Sequence, residues 1–371
     1  MTAGGELSGR LVLPNGVVSG RLRFGAAVEG IERGGPVPER FVLPGFVDAH
    51  VHGGGGGDVI DGTDGIRALC RLHARHGTTT LLPTTITRPW PEVRGMLRAV
   101  AAVRDEGVAG GAVIAGAHLE GPFISPRRLG AQPPFAIDPE PEKVRDAIAA
   151  GVVRVVTIAP ELPGAAEAID AFARAAVRVS LGHTEAVFET ATAALNRVRV
   201  LGGVAAGTHL FNAMGGIAGR EPGTAGAVLT SGHAFAELIL DGHHVHAGSF
   251  RLASAMLRDR LMLVTDAMRG AGMGDGRSDI GGQAVRIADG VARLPDGTLA
   301  GSVLTGERAL RNALAAGLDV AGASRLLSAN PARYLGLTDR GEIRPGVRAD
   351  LVVLDSGMAV QEVWIAGERV H

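Results

Sequence analysis

Apolar residues in this chain fall into two textures that alternate along most of its length. Eight stretches carry them in short, near-continuous runs: FVLPGFVDAHVHG (41–53), TTLLPTTIT (79–87), AVIAGAHLEGP (112–122), VRVVTIAPE (153–161), VRVSLGHT (177–184), GGVAAGTHLFNAM (202–214), FAELILDGHHV (235–245) and LMLVTDAM (261–268). Between them, GIRALCRLHARHG (65–77), PEVRGMLRAVAAVRDEG (91–107), PEKVRDAIAAG (141–151), GAAEAIDAFARAA (164–176) and EAVFETATAALNRV (185–198) read as helices, several with apolar residues at helical spacing and Gly near the C-terminal end. Continuous apolar strands alternating with helices predict a parallel sheet covered on its outer face. Eight units predict a closed (β/α)₈ barrel of the TIM type, with an open doubly wound sheet as the alternative. Both chain ends have a different texture. From Leu11 to Phe41, and again in GEIRPGVRADLVVLDSGMAVQEVWIAGERV, short β-rich pieces are punctuated by Gly, Pro and Asn. They predict one small β-sandwich built from residues 1–43 and 340–371, discontinuous in sequence, around a barrel domain of residues 44–339.

The polar residues sit where a barrel needs them, at the C-terminal ends of its strands. Strand one ends in Asp48, His50 and His52, and the i, i+2 spacing turns both histidines to the same side. Strand three ends in His118 and Glu120, strands five and six in His183 and His209, strand seven in Asp241, His243, His244 and His246, and strand eight in Asp266. A single strand-end histidine is most often structural, but this many converging on one face predict a metallohydrolase site. Beyond His209, a Gly-rich loop holds Asn212, Arg220 and Glu221 and offers an anion clamp opposite the metal ligand. His73 and His76, before Gly77, read as cations suited to a helix C-terminus, and His233 and His371 as exposed.

Composition narrows the chemistry. Cys70 is the only cysteine of the 371 residues, so intrachain disulfides are excluded and metal ligands come from His, Asp and Glu. That donor set suits one or two divalent first-row ions per chain, zinc first, with iron or another metal also fitting. Such an ion acidifies bound water and polarises a carbonyl, which points to amide hydrolysis, with Asp266 moving the proton. A net charge of −1 gives no reason to expect nucleic acid or an anionic membrane as a partner. No apolar run approaches the length of a membrane span, and MTAGGELSGRLVLPNG lacks the pattern of a signal peptide, so the expected location is the cytoplasm. Glycine, at 56 residues, gathers at strand ends and turns, including Gly53 to Gly57 and Gly270 to Gly276, which read as loops.

Taken together, PGFVDAHVHG, LPTTIT, HLEGPFISPRRLGAQ, LGHTEA, GTHLFNAMGGIAGREPG, LILDGHHV and LVTDAM make the chain resemble the N-acetylglucosamine-6-phosphate deacetylases of the amidohydrolase superfamily. The motifs occur in the family's order over almost the whole chain. The resemblance implies a barrel with a small β-sandwich, commonly in a homodimer, acting on a small amino-sugar phosphate. It implies that Glu120, His183 and His209 bind the principal metal, that Asp266 is the acid and base, and that Asn212, Ala213, Arg220 and His244 contact the sugar phosphate. The backbone around Ala131, Leu299, Ala300 and Gly301 would close over the substrate. Some members lack the first histidine pair and use one ion; His50 and His52 are both present here, so a second ion sharing Glu120 is expected. Some members place a histidine that polarises the substrate carbonyl where this chain has Gln132, whose amide can donate a hydrogen bond but cannot become a cation. The expected reaction is hydrolysis of N-acetyl-D-glucosamine 6-phosphate to glucosamine 6-phosphate and acetate. Alternatives are the N-acetylgalactosamine 6-phosphate epimer, a cyclic amide, or a non-catalytic sugar-phosphate sensor; no ligand is missing, as a sensor would usually have it.

Overall fold

A computed structural model describes residues 5–371; residues 1–4 of the expected terminal domain lie outside the described residues. Eight strand positions run in chain order: Phe46–Val51, Thr78–Pro83, the paired pieces Val113–Ile114 and Ala117–Glu120, Val153–Ile158, Arg178–Leu181, Ala205–Gly207, Phe235–Leu238 and Leu261–Leu263. The last six, from Ala117–Glu120 onward, form one parallel sheet, and Phe46–Val51 pairs in parallel with Thr78–Pro83, which pairs in turn with Val113–Ile114. Bridges Thr84–His118 and Val51–Ala267 join the edges, and the Asp266 N–H donates to His50 O at 2.9 Å. The sheet therefore closes into a (β/α)₈ barrel, and the open-sheet alternative is excluded.

Each predicted helix forms. Thr63–Arg75 buries Ile66, Leu69, Cys70, His73 and Ala74, the stripe that helical spacing sets against the barrel. Three more, Gly223–Thr230, Ala247–Leu257 and Gly306–Ala315, complete the alternation. Gly223–Thr230 gave no periodic signal because all but its last residue is buried, leaving no polar face to mark a period.

The chain ends pair with each other as expected, in one seven-stranded sheet. Its order is Glu368–Arg369, Val360–Ile365, Leu351–Asp355, Arg40–Pro44, Gly5–Leu13, Gly16–Phe24 and Val28–Arg33. Leu351–Asp355 runs antiparallel to Arg40–Pro44, and this pairing ties the two termini together. Leu11, Leu22, Phe24, Val42 and Val353 form a core separate from that of the barrel. After the eighth barrel strand, Gly270 to Asp275 form the expected glycine-rich loop, and beyond it the chain builds an antiparallel sheet of Gly276–Ile280, Gln283–Ala288 and Val291–Arg293 that was not foreseen. Gln283 Nε2 donates to Ala131 O at 2.7 Å, which ties this sheet to the loop after strand three. Among the described residues no helix is long and apolar enough to cross a membrane.

Two histidines, His73 and His233, depart from expectation. His73 is fully buried and bonded to Gly53 O at 3.0 Å; burial pushes its pKa down to about 4, so it is neutral and not a helix-terminal cation. His76 caps the helix C-terminus as expected and pairs with Glu307 at 3.0 Å. His233 is half-buried between Ser231 and the Leu195 carbonyl instead of exposed.

Candidate active site

At the barrel mouth, the strand ends bring six side chains together, five of them around Glu120. His183 Nε2 and His209 Nε2 lie 3.3 and 3.2 Å from Glu120 Oε1. His52 Nε2 is 3.2 Å from Glu120 Oε2 and 3.2 Å from Asp266 Oδ1, and His50 Nε2 is 3.5 Å from Glu120 Oε1 and from Asp266 Oδ1. All six are buried. The backbone is bent to bring them inward. His183, His209 and Asp266 have φ of +48°, +29° and +48°, a region non-glycine residues rarely occupy. Such strain costs on the order of 1–3 kcal/mol per residue and gathers at functional sites. Here it ends the strands abruptly and faces three side chains inward. Gly121, also at positive φ, follows Glu120 where a Cβ would overlap Thr87.

These residues fit a divalent cation. Imidazole nitrogens approach one another at 3.0 Å (His183 and His209) and 3.2 Å (His50 and His52), and Glu120 Oε1 has no hydrogen-bond partner among the described residues. Two sets of ligand atoms, His50–His52–Glu120 and Glu120–His183–His209, each lie within 4.8 Å of one another and share the carboxylate. His183 Nδ1 donates to Arg128 O at 2.7 Å, which leaves Nε2 free as a lone pair toward the mouth. Electrostatics agree with the geometry. Burial alone would lower His52 and raise Asp266, but Asp266 and Glu120 take His52 up to about 9, and His50 and His52 take Asp266 down to about 2. Burial likewise opposes the charge on Glu120, and the histidines around it hold it well below the usual carboxylate range.

Other strand-end residues serve as supports. Asp48 lies below the mouth, where its carboxylate accepts from Thr265 Oγ1 at 2.6 Å and stitches strand one to strand eight; burial pushes it up to about 7. His118 lies in the barrel interior, bonded to Ala49 O and Thr157 Oγ1. Asp241 accepts from His244 Nδ1 at 2.7 Å and orients that ring.

A cavity of about 360 Å³ opens from the cluster. Ala131, Gln132, Asn212, Ala213, His244, Leu299 and Gly301 line it, together with five of the six cluster residues, His50 lying beneath. Two expected substrate residues are elsewhere. Ala300 is fully buried outside the lining, its N–H donating to Ala292 O, and Arg220 is exposed outside it. Glu221, the neighbour that could have paired with Arg220, accepts instead from the N–H groups of Phe188 and Gly223. Gln132 is committed: its Nε2 donates to Glu120 Oε2 at 2.5 Å and its Oε1 accepts from Thr87 N–H at 2.7 Å. The structure adds lining residues that were missed, notably Arg127, Arg128, Ile280 and Thr298. The arginine pair in SPRRLG was a visible signal; Ile280 and Thr298 gave none. Glu237 was missed too, although one acidic residue inside the apolar run FAELIL is itself a signal.

The amidohydrolase family model matches residues 41–370, and the chain belongs to that family. Among curated relatives, N-acetylgalactosamine-6-phosphate deacetylase of Escherichia coli O157:H7 is 40% identical, covering 88% of this chain and 87% of its own. N-acetylglucosamine-6-phosphate deacetylase of Lysinibacillus sphaericus is 35% identical, covering 88% and 85%. The crystal structure of N-acetyl-D-glucosamine-6-phosphate deacetylase from Mycobacterium smegmatis superposes with a TM-score of 0.91 at 37% identity, covering 99% of this chain and 100% of that one.

Proposed function

We propose that this protein hydrolyses N-acetyl-D-glucosamine 6-phosphate to D-glucosamine 6-phosphate and acetate. The observation that carries the reading is the convergence of four imidazole nitrogens and two carboxylates on one barrel mouth beside a substrate-sized cavity. Glu120, His183 and His209 would hold the principal ion, zinc by preference, and His50 and His52 a second that shares Glu120. A bound ion supplies carbonyl polarisation and acidified water. The chain's own residues do the rest. Asp266 Oδ1, buried and held ionised, takes a proton from the attacking water and delivers it to the amide nitrogen as the C–N bond breaks. One water is consumed, and the acetyl carbon leaves as acetate.

At the other end of the cavity, Asn212, the N–H of Ala213 and His244 would meet the 6-phosphate, with Arg220 reaching it from the same loop as Asn212. The backbone around Ala131, Leu299, Ala300 and Gly301 would border the sugar. Gln132, fixed between Thr87 and Glu120, leaves carbonyl activation to the metal end of the site. On the same reading the enzyme works in the cytoplasm as a homodimer, with residues 1–43 and 340–371 as one domain and 44–339 as the other.

The 40% identity to an N-acetylgalactosamine-6-phosphate deacetylase supports the epimeric substrate as a second reading. Acetate release from both hexosamine phosphates and from unphosphorylated N-acetylglucosamine, with metal content measured on the same sample, tests both. Turnover confined to the galacto epimer would replace the first reading, and no turnover on any would remove both.

A further inference from the structure

Beneath the strand-one histidines lies a carboxylate that the reaction above does not use. Glu237 sits in the seventh barrel strand with no solvent exposure. His50 Nδ1 donates to its Oε2 at 2.9 Å, and both side chains are fully buried. The opposite nitrogen of that ring, Nε2, faces the mouth beside His52, Glu120 and Asp266. An ionised carboxylate at such depth is costly unless a cation or strong donor faces it. His118 is the other histidine close to Glu237, 3.9 Å from Oε1, but both its nitrogens are taken: Nδ1 donates to Ala49 O and Nε2 accepts from Thr157 Oγ1. This rules out the His50–His118–Glu237 triad as a further ion position, although its atoms lie close enough for one. Of the two histidines, His50 alone answers Glu237.

We infer that Glu237 is the positioning residue that makes His50 a metal ligand. It holds the ring proton on Nδ1, turns the Nε2 lone pair to the mouth, and lends the pocket the negative charge a second divalent ion needs. The inference builds on the reading of His50, His52 and Glu120 as one ion position. No carboxylate plays this part for the other position. There His183 Nδ1 meets a backbone carbonyl, and His209 Nδ1 has no partner among the described residues. Glu237 thus acts on one ion and not on both.

Zinc titration of metal-free protein by calorimetry, with metal content counted after desalting, tests this. Wild type takes up two ions per chain; Glu237→Gln weakens one by about 10- to 100-fold and leaves the other unchanged. Adding His209→Asn to Glu237→Gln removes the remaining ion, which assigns the weakened one to the strand-one pair. Unchanged affinities, or an equal loss of both ions, would overturn the role of Glu237. A wild type that binds a single ion would overturn the two-ion reading and this inference with it, whereas two ions in wild type and in Glu237→Gln, bound equally well, defeat only the inference. A selective loss of one ion in a protein inactive on amino-sugar phosphates would defeat the proposed substrate alone. If Glu237→Gln fails to fold, the mirror experiment decides. His50→Asn lowers the melting temperature of the metal-free protein by stranding Glu237, and Glu237→Gln added to it restores stability; a double variant no more stable than His50→Asn overturns the pairing.

Discussion

The two ends of the cavity are built on opposite principles. At the inner end every group is buried, and four of the six are held by a neighbour: His183 by Arg128 O, His50 by Glu237, Glu120 by Gln132, and Asp266 by His52. At the outer end His244 is held by Asp241, but the arginines are loosely held. Arg127 and Arg128 are 80% and 42% exposed and share one partner, Glu185, at 3.3 and 3.6 Å, and Arg220 stands in solvent. Exposed pairs of this kind contribute little to stability. The difference teaches where preorganisation is required. Groups that act on developing charge must be in place before the substrate arrives, whereas groups that only bind can be ordered by the ligand itself.

The largest effect is expected where the inner end loses a ligand. His209→Asn should abolish both metal retention and turnover, because a catalytic ion typically rests on three protein ligands. Metal content at the wild-type level would break the assignment of Glu120, His183 and His209. Asp266→Asn separates binding from proton transfer within the same cluster. It should keep metal while kcat falls by about 10²- to 10⁴-fold, the usual contribution of a positioned acid or base. Loss of metal together with activity would make Asp266 a ligand first.

How much was legible in sequence follows the same division. Strand ends are local features, so Glu120, His183, His209, His50, His52 and Asp266 could be listed, together with Asp48, His118, Asp241, His243, His244 and His246; the resemblance to the family, not the pattern, singled out the principal ligands and the acid. The contacts that hold them were not legible. Arg128 reaches His183 through a backbone carbonyl, which carries no residue signature, and Gln132 is tied to Glu120 at the cavity wall because Thr87 N–H fixes its other end. The closed barrel was readable from the alternation alone. The sheet of Gly276–Arg293 was not, since its strands are short, largely exposed and broken by two tight turns, and it drew no assignment.

At the outer end a smaller and more selective effect is expected. Arg220→Ala should lose a charge-assisted contact on the order of 2 to 4 kcal/mol, about 30- to 1000-fold in kcat/KM, on the 6-phosphate substrate. Unphosphorylated N-acetylglucosamine should be nearly unaffected. Measuring both substrates cancels general damage to the fold. An equal loss on the two would assign Arg220 to loop structure and leave the phosphate to groups already lining the cavity. In that case Arg128→Ala, not Arg220→Ala, should carry the selectivity.

The smallest effect concerns the underside of the inner end, where His73 is bonded to the carbonyl of Gly53, the residue after His52. A buried neutral imidazole with its pKa pushed down to about 4 takes up no proton until the pH is far below that of a free histidine, near 6.5. The unfolded chain protonates first. Between about pH 6.5 and pH 4 unfolding therefore takes up a proton, and the stability this residue confers is complete above that window and is lost as the pH falls through it. The slope from one such group is at most about 1.4 kcal/mol per pH unit. His73→Gln keeps a donor for Gly53 O but cannot titrate. The melting temperature of the metal-free variant should accordingly decline less between pH 7 and pH 4.5 than that of the wild type, all other titrating groups being common to both proteins. Parallel curves would mean that His73 is protonated in the fold, and that the inner end is held at this point by charge instead of by a neutral hydrogen bond.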